Sequence, residues 1–412
     1  MRVCWILAIS LLIISLVSGC GTSFNKVSNF NRDIGAIIHP YTFNYGSWEF
    51  NALINGLRQT PGRESADTQS VIDYFSLTAQ LDTLKSEARL LLAQNSQDNI
   101  TVAEDRIDSV NAQIAALKPV VERTIALQIN QILAERGIYN PAGISWFKLT
   151  FPPVNFSLES PLYELIISPR DRIEIMKSIT IKPEITASQI QSVESSIDQL
   201  NVSSLIVQIG GLGATYPAFV ANNASLRWTI ETAAHEWIHQ YLAFTRLGFS
   251  YILDLLGIPQ NDDIGTINET VANIFGQEIG TMVYNRYYSQ YQDSSGGTGE
   301  TSPAPAAFDF NAAMRNIRRN VDAYLEQGQI DQAEKYMIEQ QQVLAANGYY
   351  IRKLNQAYFA FHGNYADSPT SVNPIGPKLR SLRDNSPSIK NFLDTVAKFT
   401  CVQDLNDTLD EL

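Results

Sequence analysis

Residues 227–248 read RWTIETAAHEWIHQYLAFTRLG and contain His235-Glu236-Trp237-Ile238-His239. The 412-residue chain has only four histidines, and two of them fall here, four positions apart. On a helix, positions i and i+4 share a face about one turn apart, so both imidazoles can reach a single ion. Glu236 is angled to one side, where a carboxylate can meet a solvent molecule beside that ion without ligating it. The segment has what such a helix needs. Asn223 or Ser225 can cap its start, and Leu226, Ile230, Ala233, Ala234, Trp237, Ile238 and Tyr241 supply an apolar surface; Arg246 and Gly248 fit its end. A catalytic zinc site takes three protein ligands and keeps one position open, so the fold must bring a third donor to this face.

A third histidine does not follow in sequence: His-x-x-Gly-x-x-His would need glycine at 242 and histidine at 245, where Leu242 and Thr245 stand. The segment NETVANIFGQEIG offers Glu269 and Glu278 instead. Nine residues at about 100° each put these on opposite sides of a helix, so only one can face the ion. Ile264, Ile267, Val271, Ile274, Phe275 and Met282 cluster away from Glu269, whose own side carries Asn273, Gly276 and Gly280, groups that let another helix come close. Glu278 lies within the apolar stripe. Thr266 to Glu269 also fits a capping box, in which Glu269 would serve backbone N–H groups instead of a metal.

His235-Glu236-x-x-His239, followed by Asn268-Glu269-x-x-x-Asn273 and Ile274-Phe275-Gly276, resembles the thermolysin-type gluzincins. The resemblance implies a zincin-like catalytic core in which His235, His239 and Glu269 ligate Zn2+ and residue 273 holds a ligating histidine from behind. It also implies that Glu236 acts as general base and that a histidine or tyrosine opposite the metal donates to the oxyanion. LNQAYFAFHGNYADSP supplies His362 and Tyr365 for that last role. The chain departs from the family in having asparagine at 273, where the family has aspartate, and in a longer segment between His239 and Glu269. GFSYILDLLGIPQNDDIG is expected to form a short helix there.

The N-terminal stretch MRVCWILAISLLIISLVSGC has one early arginine and an apolar run ending in Val17-Ser18-Gly19-Cys20. That run is too short and too abruptly ended for a membrane span. It resembles a bacterial lipoprotein signal (1–20) with Cys20 as the acylated new N-terminus, which would place the body in the cell envelope, outside the cytoplasm and tethered to a membrane. With Cys4 removed and Cys20 lipidated, Cys401 is left without a partner and no disulfide framework is possible. The body must rely on its core. A formal charge of −12 argues against nucleic acid or an anionic membrane surface as the main partner.

Four further regions follow. Residues 21–137 are an N-terminal helical region whose main feature is a hairpin over Asp67 to Gly137, broken near 95–99 and kinked or restarted at Pro119. Residues 138–292 form the core, with short strands in 139–220 and helices after 225. Residues 293–307, DSSGGTGETSPAPAA, are a linker of low complexity. Residues 308–412 are a C-terminal helical region completing the cleft. The fold class is α+β, mainly α-helical, with a small mixed or antiparallel sheet. SSLIVQIGGLGATYPAFV is the candidate edge strand for an extended substrate, with Gly210, Gly211 and Gly213 permitting close backbone approach; an ordinary core strand is the alternative.

The residues therefore lead to a membrane-anchored zinc metallopeptidase acting on a peptide or protein substrate. Two alternatives stand beside it. One is a zinc aminopeptidase or amidase of small peptides or cell-wall fragments, although no motif marks the acidic residue that would hold a substrate α-amine. The other is a non-catalytic envelope scaffold with a structural zinc, for which Glu236 would have no use. Oligomeric state is not written in the sequence.

Overall fold

The computed structural model describes residues 27–44, 48, 66–93, 97–141, 148–255, 262–291 and 308–412. The signal segment with Cys20 and the 293–307 linker lie outside these residues. Among the described residues the chain forms thirteen helices and six short strands, mainly helical α+β as expected. No helix among them is long and apolar enough to cross a membrane.

After helix α1 (Val27–Ile38), the hairpin is built from α2 (Thr68–Ala93) and α3 (Gln97–Glu135). Helix α3 runs unbroken through Pro119, so of the kink or restart expected there, the restart does not occur. Proline removes one backbone hydrogen bond and crowds the preceding turn, but Ile114 and Leu117 before it and Val121 and Ile125 after it pack into one core, which keeps both sides helical.

Six strands make two small sheets. Strands β1 (Phe156–Glu159), β2 (Tyr163–Pro169) and β3 (Lys177–Ile181) are followed by helix α4 (Ala187–Asp198), then β4 (Val202–Gln208), β5 (Gly211–Leu212) and β6 (Ala218–Ala221). The first sheet is antiparallel in the order β3-β2-β4; the second, β1-β6-β5, is mixed, with β5 at its edge. Strand β2 buries Leu165 and Ile167 on one face, against Ile34, Ile38, Ile190 and Ile197. Ile166 goes to the opposite face, against Leu205 and Ala357.

Two long helices carry the centre of the molecule: α5 (Leu226–Leu242) and α7 (Asp262–Tyr287), bridged by α6 (Arg246–Leu255). Helix α5 ends at Leu242, short of the expected Arg246–Gly248. Gly248 is needed for a different reason: a Cβ there would sit 2.1 Å from the Leu242 carbonyl oxygen, so only glycine lets α6 fold back over the end of α5. Helices α8 (Phe310–Glu326), α9 (Ile330–Ala346), α10 (Gln356–Gly363), α11 (Ile375–Asn385), α12 (Ile389–Val396) and α13 (Val402–Asp410) complete the chain. The main apolar core includes Val71, Ile125, Phe156, Trp237, Phe275, Leu379 and Phe392, so it crosses the textural boundaries at 137 and 292.

The approach of α7 to α5 depends on Gly276 and Gly280. A Cβ on Gly276 would lie 2.8 Å from the Glu231 carbonyl oxygen and 2.9 Å from His235 Cβ; one on Gly280 would lie 2.7 Å from Glu231 Cα. Gly265, earlier on the same helix, would meet nothing closer than 3.5 Å. Gly276→Ala is therefore expected to cost about 1–3 kcal/mol by overpacking. Gly265→Ala is expected to stabilise by roughly 0.5–1 kcal/mol through helix propensity. Urea unfolding of the two variants checks the opposite signs.

Candidate metal centre

Local sequence makes α5 a helix that can face in only one way. Ser225 caps it by accepting the Trp228 N–H, confirming one of the two expected caps. Trp237 is buried, donates its indole N–H to the Pro152 carbonyl at 2.8 Å and packs beside Phe275. With Ile230, Ala233, Ala234 and Ile238 also buried, His235 and His239 are left facing α7. Helix α7 begins at Asp262, four positions before Thr266, so Thr266 is inside the helix and the capping reading of Glu269 falls. Glu278, on the other side, forms a two-point ion pair with Arg383.

Three donors converge. His235 Nε2 lies 3.1 Å from His239 Nε2, and each is 3.6 Å from an oxygen of Glu269. Ligand bonds of about 2.0–2.1 Å at tetrahedral angles separate donors by about 3.3 Å, so the triangle has the size a metal ion requires. The group can hold a metal ion. Its side chains are 13%, 15% and 16% exposed, so the triangle is reachable from outside.

The surroundings fix the donors in place. His239 Nδ1 is 2.7 Å from Asn268 Oδ1, which accepts its proton and leaves Nε2 free to face the triangle. Tyr251, from α6, donates its phenol to Glu269 at 3.3 Å. Glu236 is not in the triangle. Its carboxylate lies against β5, where a Cβ on Gly211 would be 2.1 Å from Glu236 Oε1 and one on Gly213 would be 3.0 Å from His239 Cβ. The Gly213 N–H donates to that carboxylate. Gly210 lies beneath the Trp228 ring in the same way. The glycines at 210, 211 and 213 thus admit side chains of α5; the expected purpose, approach of a substrate backbone, is not what they show.

Asn273, expected behind a ligating histidine, bonds elsewhere: its amide donates to both Asp367 oxygens at 2.9 and 3.0 Å. The side chain seen holding a histidine is that of Asn268. Asp367 is fully buried at its side chain and also pairs with Arg380 at 2.9 Å. One turn earlier on α7, Thr270 Oγ1 accepts the Ala366 N–H at 3.2 Å. These bonds stitch residues 366–367 onto the helix that bears Glu269, immediately after Tyr365.

Of the two candidate oxyanion donors, Tyr365 is the one coupled electrostatically to the carboxylates of the centre. Burial raises its phenol well above the ordinary range, and the carboxylates of Glu269, Glu236 and Glu164 raise it further. His362, on α10, packs its ring against Tyr358 at 4.3 Å between centroids, tilted by 46°. Burial alone lowers its imidazole to about 4, with no contribution from the centre's carboxylates.

Charge is concentrated here. Burial works against ionisation of Glu269, but His239 and His235 outweigh it and hold the carboxyl well below the usual range. Burial opposes protonation of His239, while Glu269 and then Glu236 bring its imidazole up to about 9. Burial pushes the Glu236 carboxyl up against the pull of both histidines. Burial also raises Glu164, on β2, with Ser178 opposing and Glu269 adding.

Comparison with protein-family models, curated proteins and solved structures found no match, so geometry alone speaks for the centre. Reading the sequence missed the roles of Asn268, Tyr251, Asp367 and Glu164. Glu164 had one available signal: a charge inside the apolar strand YELIISP.

Proposed function

We propose that the chain is a zinc-dependent metallopeptidase with a gluzincin-type site, tethered to a membrane in the cell envelope through Cys20. What supports this most is the His235–His239–Glu269 triangle with an acidic Glu236 placed beside it as a non-ligand. A purely structural metal site has no use for that fourth group.

A zinc ion would be held by His235, His239 and Glu269 and would supply Lewis acidity towards a carbonyl and a water molecule. Asn268 and Tyr251 hold His239 and Glu269 in orientation. Glu236 takes the proton of the attacking water and returns it to the departing amine. Tyr365, kept protonated by its surroundings, donates its O–H to the oxygen that gains charge. The edge of β5 offers backbone groups to an extended substrate.

The test is digestion of a mixed peptide library by the full chain. Cleavage is expected to stop with a chelator and return with added Zn2+. Cleavage that survives full metal removal, or none with one zinc bound, rejects the reading.

Metal binding should also be linked to pH. Without metal, His239 titrates at about 9, so near pH 7 a ligating zinc must displace its proton. Affinity is expected to strengthen about tenfold per pH unit between 7 and 8 from this group and to level off above 9. Calorimetry in two buffers of different protonation enthalpy should count close to one proton released from His239 per zinc at pH 7.

A further inference from the structure

Strand β2 alternates strictly: Leu165 and Ile167 face α1 and α4, and Ile166 faces α10. Glu164, two positions before Ile166, shares the α10 face. The register sets it opposite Thr180 of β3 and Val207 of β4. Val207 and Phe361 both pack against the Ile166, Leu205 and Ala357 cluster, and the Phe361 ring meets Tyr365 edge-on at 6.0 Å. A side chain at this position of a half-buried strand is ordinarily apolar. Here it is a carboxylate at the wall of the metal centre.

Glu164 is surrounded by protein yet only partly covered from solvent, as are His235, His239, Glu269, Tyr251 and Tyr365. The Ser178 hydroxyl donates to Glu164, and among the described residues no lysine, arginine or histidine pairs with it. It lies near enough to Glu269, Tyr251 and Tyr365 for its ionisation to couple to theirs. With His235, His239 and Glu269 forming the metal triangle and Glu236 beside it, Glu164 is a further carboxyl that no cation of the described residues answers. A half-covered carboxyl with one hydroxyl donor and no cation, set in an otherwise apolar strand, keeps acceptor capacity that a ligand can complete.

We infer that Glu164 binds an ammonium group of the substrate beside the metal centre, making the chain selective for peptides that carry a cation close to the scissile bond. The inference rests on the metallopeptidase reading and adds the substrate class. The ammonium is either the peptide's own α-amine, which makes the enzyme an aminopeptidase, or a lysine side chain, which makes it an endopeptidase with basic specificity.

Equilibrium binding separates these without relying on turnover. The probes are Ala-Ala-Ala amide, N-acetyl-Ala-Lys-Ala amide and the uncharged N-acetyl-Ala-Ala-Ala amide, titrated onto zinc-loaded full chain carrying Glu236→Gln. One cationic probe is expected to bind at least roughly tenfold tighter than the uncharged one, the factor a charge-assisted hydrogen bond brings. Whichever cationic probe wins names the source of the ammonium. Adding Glu164→Gln is expected to erase the difference. Equal binding of all three probes before any change at 164 overturns the inference, and so does a preference that survives Glu164→Gln. If wild type cleaves no peptide at all, the hydrolase reading falls separately, because these titrations require no cleavage.

Discussion

Glu236→Gln is expected to leave zinc stoichiometry unchanged and to lower peptide hydrolysis by roughly 10²–10⁴-fold, the range general acid–base catalysis contributes. Glutamine has the shape of glutamate and keeps an oxygen for the Gly213 N–H, so the packing of α5 against β5 is preserved. What it loses is the ability to take a proton. The same change should stabilise the metal-free protein. Burial raises the Glu236 carboxyl in the fold, so ionising it above its unfolded pKa costs stability, and that cost grows as pH rises. An amide removes that cost and the repulsion from Glu269. Lower activity with a higher melting temperature is the pattern of a residue kept for chemistry at the expense of stability. Full activity in the variant would move the proton acceptor elsewhere. Loss of zinc would make residue 236 part of the metal's support.

The centre was legible because its constraints are local. Two histidines one turn apart, a glutamate between them, and glycines 276 and 280 on the Glu269 face all follow from helix periodicity, and the packing of α5 on α7 bears them out. Ser225 as the cap and the break between α2 and α3 are also short-range effects. Long-range effects were harder to read. Helix α4 lies between two segments read as strands, in a stretch given no element of its own, although Thr186 and Gln189 form a capping box and Ile190, Val193 and Ile197 keep helical spacing. The strand-rich flanks masked that period. Pro119 signalled a kink or a restart, and tertiary packing on both sides overrode the restart. Tyr251, Asp367 and Glu164 come from separate elements, and no spacing in the chain joins them to His235.

Residue 273 shows how one long-range contact decides an identity that local pattern leaves puzzling. The gluzincin resemblance calls for aspartate there, and the chain has asparagine. The reason is Asp367, whose buried carboxylate lies 2.9 and 3.0 Å from the Asn273 amide and requires a donor. Asn273→Asp would face one carboxylate with another in a closed space. The expected cost is about 3–5 kcal/mol near neutral pH, the range for an uncompensated buried charge, with Tyr365 displaced along with its neighbours. Two carboxyls so close can share a proton, which raises a pKa in the fold above its unfolded value. The destabilisation should therefore be full at neutral pH and shrink as pH falls below that raised value. The double variant Asn273→Asp with Asp367→Asn puts one carboxylate and one amide back in contact. It is expected to recover most of the loss, less the pair with the half-exposed Arg380. Urea unfolding of both single variants and the double, at pH 5 and pH 8, tests this. If Asn273→Asp alone is as stable as wild type at pH 8, then Asp367 does not dictate the asparagine, and the stitching of the Tyr365 segment onto the Glu269 helix has to come from Thr270 alone.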